Sequence, residues 1–129
     1  MVENNRFKEW KAPEMVHGEF TKYKWLPYHP ENIKLGYKTD IGALTCLFAH
    51  EGIEIGNECQ IGSHCSIYSY DSEDNIRGKV TIKDGATIGS HSVIFPNVII
   101  ERNEKIKAGS IVYVDQKGKR HIKEVREYK

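Results

Sequence analysis

Residues 82–112 read IKDGATIGSHSVIFPNVIIERNEKIKAGSIV, and within them Ile82, Ile88, Ile94, Ile100, Ile106 and Val112 stand six apart without a break. A period of six fits neither a helix of 3.6 residues per turn nor a strand alternating every two residues. It fits a chain that turns a corner every six residues, and an internal repeat of this kind takes precedence over local propensity. Working outward, the same spacing holds Ile55, Ile61 and Ile67, and before them Leu35, Ile41, Leu47 and Ile53. Gly36, Gly42, Gly56, Gly62 and Gly89 each follow one of these aliphatics directly. Two places before the next aliphatic the residue is usually small: Thr39, Thr45, Cys59, Cys65, Ala86, Ser92, Val98 and Ser110.

Three inward aliphatics per turn predict a triangular coil of 18 residues, each coil stacking on the last at about 4.8 Å through backbone hydrogen bonds. The segments GIEIGNECQIGSHCSI (52–67) and KVTIKDGATIGSHSVI (79–94) align with an offset of 27, which is one such coil plus nine residues. The polar stretch SYDSEDNIRG (69–78) interrupts the grid between the two copies and reads as an excursion loop. Loops carried on rigid scaffolds are where sites tend to be built. The expected organisation is an N-terminal cap segment over 1–34, rich in aromatics such as Trp10, Phe20, Tyr23, Trp25 and Tyr28, then a repeat body over 35–113 with its loop at 69–78, then a C-terminal tail over 114–129. The tail, VDQKGKRHIKEVREYK, turns at Gly118 and leaves strand and short helix equally open.

The 129 residues suit one domain, and 19 Lys plus Arg against 18 Asp plus Glu leave a net charge of +1. No basic stripe points to nucleic acid, and no apolar run approaches the roughly 18 residues of a membrane span. The polar start MVENNRFKEWK and the cysteine usage place the chain in the cytoplasm. Cys59 and Cys65 fall in the small inward slot and read as reduced core fillers, while Cys46 reads as a free thiol; no CxxC pair suggests zinc.

The grid, the small-residue slot and a polar loop in the middle coil resemble the hexapeptide-repeat acyltransferases over about residues 33–113, with IGNECQIGSHCSIYS and IKDGATIGSHSVIFPNVII as the strongest stretches. The nearest likeness is to short sugar O- and N-acetyltransferases of the maltose, galactoside and surface-polysaccharide types. The resemblance implies an all-β, left-handed parallel β-helix, a homotrimer with active sites between subunits, and acetyl-CoA as donor. The acceptor it implies is a sugar or nucleotide-linked sugar in surface-polysaccharide (lipopolysaccharide-type) biosynthesis. Three positions depart from that family. Its general-base histidine is replaced by Tyr70, its closing Gly-x-Pro-Ala by Val114-Asp-Gln-Lys-Gly118, and its Pro-Gly after the third strand by Pro96-Asn97.

Candidate chemistry follows from position on the grid. His50, His64 and His91 stand three places after an aliphatic, at corners that point outward; His64 and His91 are stacked by the 27-residue offset. Counting corners sets His50 one coil beneath the loop mouth, about 4.8 Å below it, where an imidazole reaches the space left by the missing loop histidine. His50 and His91 are therefore the candidate catalytic residues. Glu51 follows His50, where a carboxylate can orient an imidazole and raise its basicity, and Tyr70, Asp71, Glu73, Asp74 and Asn75 give the loop a polar, acidic lip for substrate hydroxyl or amino groups; Glu51, Tyr70, Asp71 and Asn75 are the candidate substrate-binding residues. Lys107, Ala108, Gly109 and Ser110 resemble the stretch whose backbone lines the coenzyme A groove in the family. No metal site is expected. The competing readings are a β-helix binding or scaffold module that has lost the chemistry, and a metal-dependent, carbonic-anhydrase-like enzyme using the stacked histidines.

Overall fold

A computed structural model describes residues 10–125. Strands β1 (Leu26–Tyr28), β2 (Ile33–Leu35) and β3 (Asp40–Ile41) form a first turn, and β4 (Cys46–Phe48), β5 (Ile53–Ile55) and β6 (Gln60–Ile61) a second. In the third turn β7 (Ser66–Tyr68) is followed by an outlying hairpin, β8 (Tyr70–Asp71) and β9 (Ile76–Arg77), before β10 (Val80–Ile82) and β11 (Thr87–Ile88) resume the coil. The fourth turn is β12 (Val93–Ile94), β13 (Ile99–Ile100) and β14 (Lys105–Ile106); β15 (Ile111–Val114) starts a fifth, and β16 (Arg120–Lys123) folds back on it. Like strands of successive turns pair in parallel, giving walls ordered β1-β4-β7-β12-β15, β2-β5-β10-β13 and β3-β6-β11-β14. The molecule is a parallel β-solenoid with three walls.

The grid aliphatics form its core. Leu47, Ile67, Ile94 and Val112 are wholly buried and stack in register down the first wall. Ile41, Ile61, Ile88 and Ile106 do the same on the third. The 18-residue coil holds only in the upper part, where Ile94 lies against Val112. In the lower turns Leu47 lies against Ile67, an offset of 20 residues. The reason is on the second wall: Ile53 and Ile55 both point inward from β5, above Ile33 and Leu35 of β2, so that strand carries two core residues. Ile53 thus shares a strand with Ile55 instead of starting a separate six-residue step.

The small-residue slot has a hydrogen-bonding cause. Thr39 Oγ1 donates to the Gly56 carbonyl and Thr45 Oγ1 to the Gly62 carbonyl, each at 2.7 Å. One coil up, the thiols of Cys59 and Cys65 reach the carbonyls of Lys83 and Gly89 at 3.2 and 3.3 Å. A hydroxyl or thiol turned inward here satisfies a carbonyl of the next coil, which a purely apolar side chain cannot do. All three cysteines are free. The glycines mark the closest approach of backbones: a Cβ on Gly89 would lie 2.3 Å from the Ala108 nitrogen.

Both ends of the stack are covered. Leu26–Tyr28, within the segment read as a cap, is already a wall strand, and Trp25, 1% exposed, fills the core beneath it. At the other end the tail is a strand, β16, antiparallel to β15. Its Arg120 makes a two-pronged bond to Glu104 at 2.7 and 2.5 Å and also donates to the Ile99 carbonyl at 2.9 Å. Glu104 in turn accepts the Glu101 N–H at 2.9 Å. The pair thereby satisfies backbone groups that a further coil would otherwise have taken. Residues 126–129 of the tail and 1–9 of the cap lie outside the described residues. No helix among the described residues is long and apolar enough to cross a membrane.

Candidate active site

The excursion at 69–78 is a hairpin anchored at its root. Gly78 N–H donates to the Ser69 carbonyl at 2.9 Å, and the buried Ser69 hydroxyl bonds the Phe48 carbonyl at 2.7 Å. Tyr70 pairs with Arg77 and Asp71 with Ile76. Neighbouring residues on a strand face opposite sides, so the hairpin has two chemically different faces.

On the lower face the Arg77 guanidinium lies over the Tyr70 ring at 4.3 Å and pairs with Glu51 at 3.1 Å. Beneath Tyr70 runs a column of imidazoles, with ring centroids 5.5 Å apart for His50–Tyr70, 4.4 Å for His29–His50 and 4.7 Å for His17–His29. His50 thus stands one coil below the hairpin, as the corner count predicts. Its imidazole is held below the usual histidine range, first by partial desolvation under its neighbours and then by the charge of His29. Glu51 turns to Arg77 and does not bond His50.

On the upper face the hairpin leans over the first wall and forms a solvent-open cleft lined by Asp71, Glu73, Asp74, Ile76, Phe95, Pro96, Tyr113 and Val114. Three carboxylates face an apolar floor. That floor belongs to an aromatic ladder on the outside of the first wall, where Tyr28, Phe48, Tyr68 and Phe95 stack with centroids 5.1, 4.7 and 5.8 Å apart. Every member of the ladder directly follows an inward residue of β1, β4, β7 or β12, a phase the sequence carried in plain view. Tyr113 continues the series on β15.

The candidates therefore separate into two groups. Tyr70, Asp71 and Asn75 are on the hairpin, with Asn75 in its turn at a φ of 53°, and His50 and Glu51 sit at its base. His91 lies at another corner, between β11 and β12, stacked on His64 with centroids 4.8 Å apart and planes 2° from parallel. Lys107, Ala108, Gly109 and Ser110 form the next turn of that same corner, where Gly109 N–H bonds the Ser90 carbonyl. Ser110 is buried and spends its hydroxyl on the Lys107 carbonyl at 2.6 Å, while Lys107 itself is exposed and Ala108 and Gly109 are half-buried. Among the described residues no three His, Cys, Asp or Glu side chains gather where they would hold a metal ion. The first wall separates the two corners.

No protein-family model matches this chain, and no curated protein sequence does. Solved structures of AntD, an N-acyltransferase from Bacillus cereus, do. The complex of AntD with dTDP and 3-hydroxybutyryl-CoA is 24% identical, with a TM-score of 0.54 over 72% of this chain and 73% of that one. The likeness is one of fold. A point variant of AntD bound to dTDP and coenzyme A is 22% identical, with a TM-score of 0.56 over 84% of this chain and 80% of that one. Another variant, bound to dTDP-4-amino-4,6-dideoxyglucose and coenzyme A, is 21% identical at a TM-score of 0.52 over the same shares, 84% and 80%.

Proposed function

We propose that this chain is an acyltransferase that moves an acyl group, acetyl in the simplest case, from acyl-CoA to the amino group of a nucleotide-linked sugar. The observation that carries this reading is the cleft, where Asp71, Glu73 and Asp74 face an aromatic floor. Carboxylates attract and orient a protonated amine, and the apolar floor suits the less polar face of a sugar ring. A hydroxyl acceptor needs a general base to make it nucleophilic, worth roughly 10²–10⁴-fold, whereas an amine of pKa near 8 is partly neutral at physiological pH, attacks a thioester unaided and sheds its surplus proton only afterwards. The solved structures of like fold are N-acyltransferase complexes with coenzyme A and dTDP-linked ligands, which supports the same class of reaction.

In this reading the acceptor enters the cleft on the upper face of the hairpin, and the coenzyme lies along the corner of His91 and Lys107–Ser110, with its thioester carried across the first wall. The acceptor nitrogen attacks the carbonyl carbon, backbone N–H groups hold the developing oxyanion, and the C–S bond breaks to release coenzyme A. In this reading the active unit is a homotrimer, in which a neighbouring copy covers the outward apolar side chains of Ile99 and Ile111, 46% and 40% exposed. The setting is cytoplasmic synthesis of surface-polysaccharide precursors. Coenzyme A release from acetyl-CoA, followed with a panel of amino-sugar nucleotides beside plain sugars and glycosides, tests the reading. Turnover with amines alone is expected, and turnover confined to hydroxyl acceptors overturns it. Light scattering is expected to give three times the mass of one chain.

A further inference from the structure

The C-terminal hairpin carries an imidazole–carboxylate pair that the sequence does not advertise. His121 Nε2 lies 2.8 Å from Asp115 Oδ2. The other Asp115 oxygen accepts the N–H groups of Lys117 and Lys119 at 2.8 and 3.0 Å. These bonds, that of His121 first and the Lys119 N–H next, hold the Asp115 carboxyl below the usual carboxylate range. An ionised carboxylate only accepts hydrogen bonds, so Nε2 of His121 carries the proton and Nδ1 of the neutral ring keeps its lone pair. His121 stands opposite Tyr113 in the β15–β16 register, and the two rings stack with centroids 5.0 Å apart. Tyr113 and Val114 are the far wall of the acidic cleft, so the pair stands at the cleft's C-terminal rim, with 36% of the His121 side chain open to solvent.

We propose that His121, oriented by Asp115, is the proton acceptor for chemistry in the cleft, supplied from the tail where the hairpin offers Tyr70. The inference rests on the acyltransfer reading and deepens it. The neutral acceptor amine attacks the thioester carbonyl, forming the N–C bond. Its surplus N–H proton passes to His121 Nδ1. The C–S bond then breaks with its electron pair on sulfur, and the imidazolium returns that proton to the thiolate. The products are the amide and coenzyme A thiol, with His121 neutral again. His50 lies on the other face of the hairpin, under Tyr70, away from this path. A role confined to stapling the turn is met by one Asp115 oxygen and the two backbone N–H groups; the bond from the second oxygen is surplus to it.

The test compares kcat and KM from pH 5 to 9 for wild type, His121→Gln and Asp115→Asn, together with their thermal midpoints. Asn keeps an oxygen for both backbone N–H groups while removing the charge that orients the ring, which separates the turn from the imidazole. His121→Gln is expected to lower kcat by about a hundredfold or more, with little change in KM and loss of the acid limb of the kcat profile. Asp115→Asn is expected to give a smaller loss and a displaced acid limb, both proteins staying folded. Turnover by His121→Gln close to wild type with the acid limb intact overturns the proposal and leaves acyl transfer standing. So do losses that merely track the folded fraction. A folded wild type that turns over no amine overturns both.

Discussion

His64 and His91 hold φ at 58° and 63°, the left-handed conformation that L-residues visit at a cost of roughly 1–2 kcal/mol. Lys38, Leu44, Glu58, Asn97 and Asn103 do the same, and all but Asn103, which precedes Glu104, directly precede an inward slot residue. The corner geometry demands this, and the stacked coils supply the compensation. Replacing an inward aliphatic removes that compensation. Ile88→Asp is expected to abolish folding, because it buries a charge among apolar neighbours at a cost of several kcal/mol against a total of about 5–15. Glu73→Ala, on the exposed hairpin turn, is expected to leave the circular dichroism spectrum and thermal midpoint unchanged. His50 makes a pH-dependent case. Its depressed pKa means that the unfolded chain takes up a proton first as pH falls through about 6.5, so stability declines below that pH and not above it. The effect is small, since the ring is exposed. In a histidine-resolved NMR titration the His50 midpoint is expected below that of an unstructured histidine, and to rise in His29→Asn.

At the scale of elements, the hairpin is an addition to a coil that closes without it. Ser69 and Gly78 are already hydrogen-bonded at 2.9 Å, so deletion of residues 70–77 is expected to leave a folded solenoid while abolishing acyl transfer. Loss of cooperative thermal unfolding in the deletion protein would make the hairpin structural. The polarity of 69–78 marked an excursion, yet not that it is a two-faced hairpin, because its strands are two residues long and pair only with each other. The two-faced character is what parts His50 from Asp71, a separation that counting corners along the chain does not carry. The inward grid, by contrast, was legible residue by residue, since a six-residue period has few other solutions. The 20-residue lower coils were masked because Ile53 happens to fall six after Leu47 while sharing a strand with Ile55. The tail was open for a related reason: only pairing with β15 makes Arg120–Lys123 a strand.

For the whole molecule, stability depends on how the stack is closed. Arg120 and Glu104 are largely shielded, with side chains 29% and 21% exposed. The Glu104 carboxyl is held below its ordinary range, first by the Arg120 bond. Its contribution is fully present above the unfolded value near 4.5 and disappears as pH falls through the lower folded value. Arg120→Ala is expected to cost about 1–3 kcal/mol at neutral pH, measured by urea unfolding, and to remove the share of the acid-labile stability that belongs to Glu104. A variant as stable as wild type would show that the last coil needs no polar closure.

The first turn has an optical consequence. The chain has two tryptophans, and both Trp10 and Trp25 lie at the N-terminal end of the stack, while the far end carries tyrosine alone. A solenoid holds together through nearest-neighbour contacts and frays from its ends. Indole emission therefore watches one end of the molecule, while tyrosine ellipticity, whose ladder runs from Tyr28 on β1 to Tyr113 on β15, watches its whole length. If the two signals part under mild denaturant, the order in which they change gives the direction in which the coils unzip.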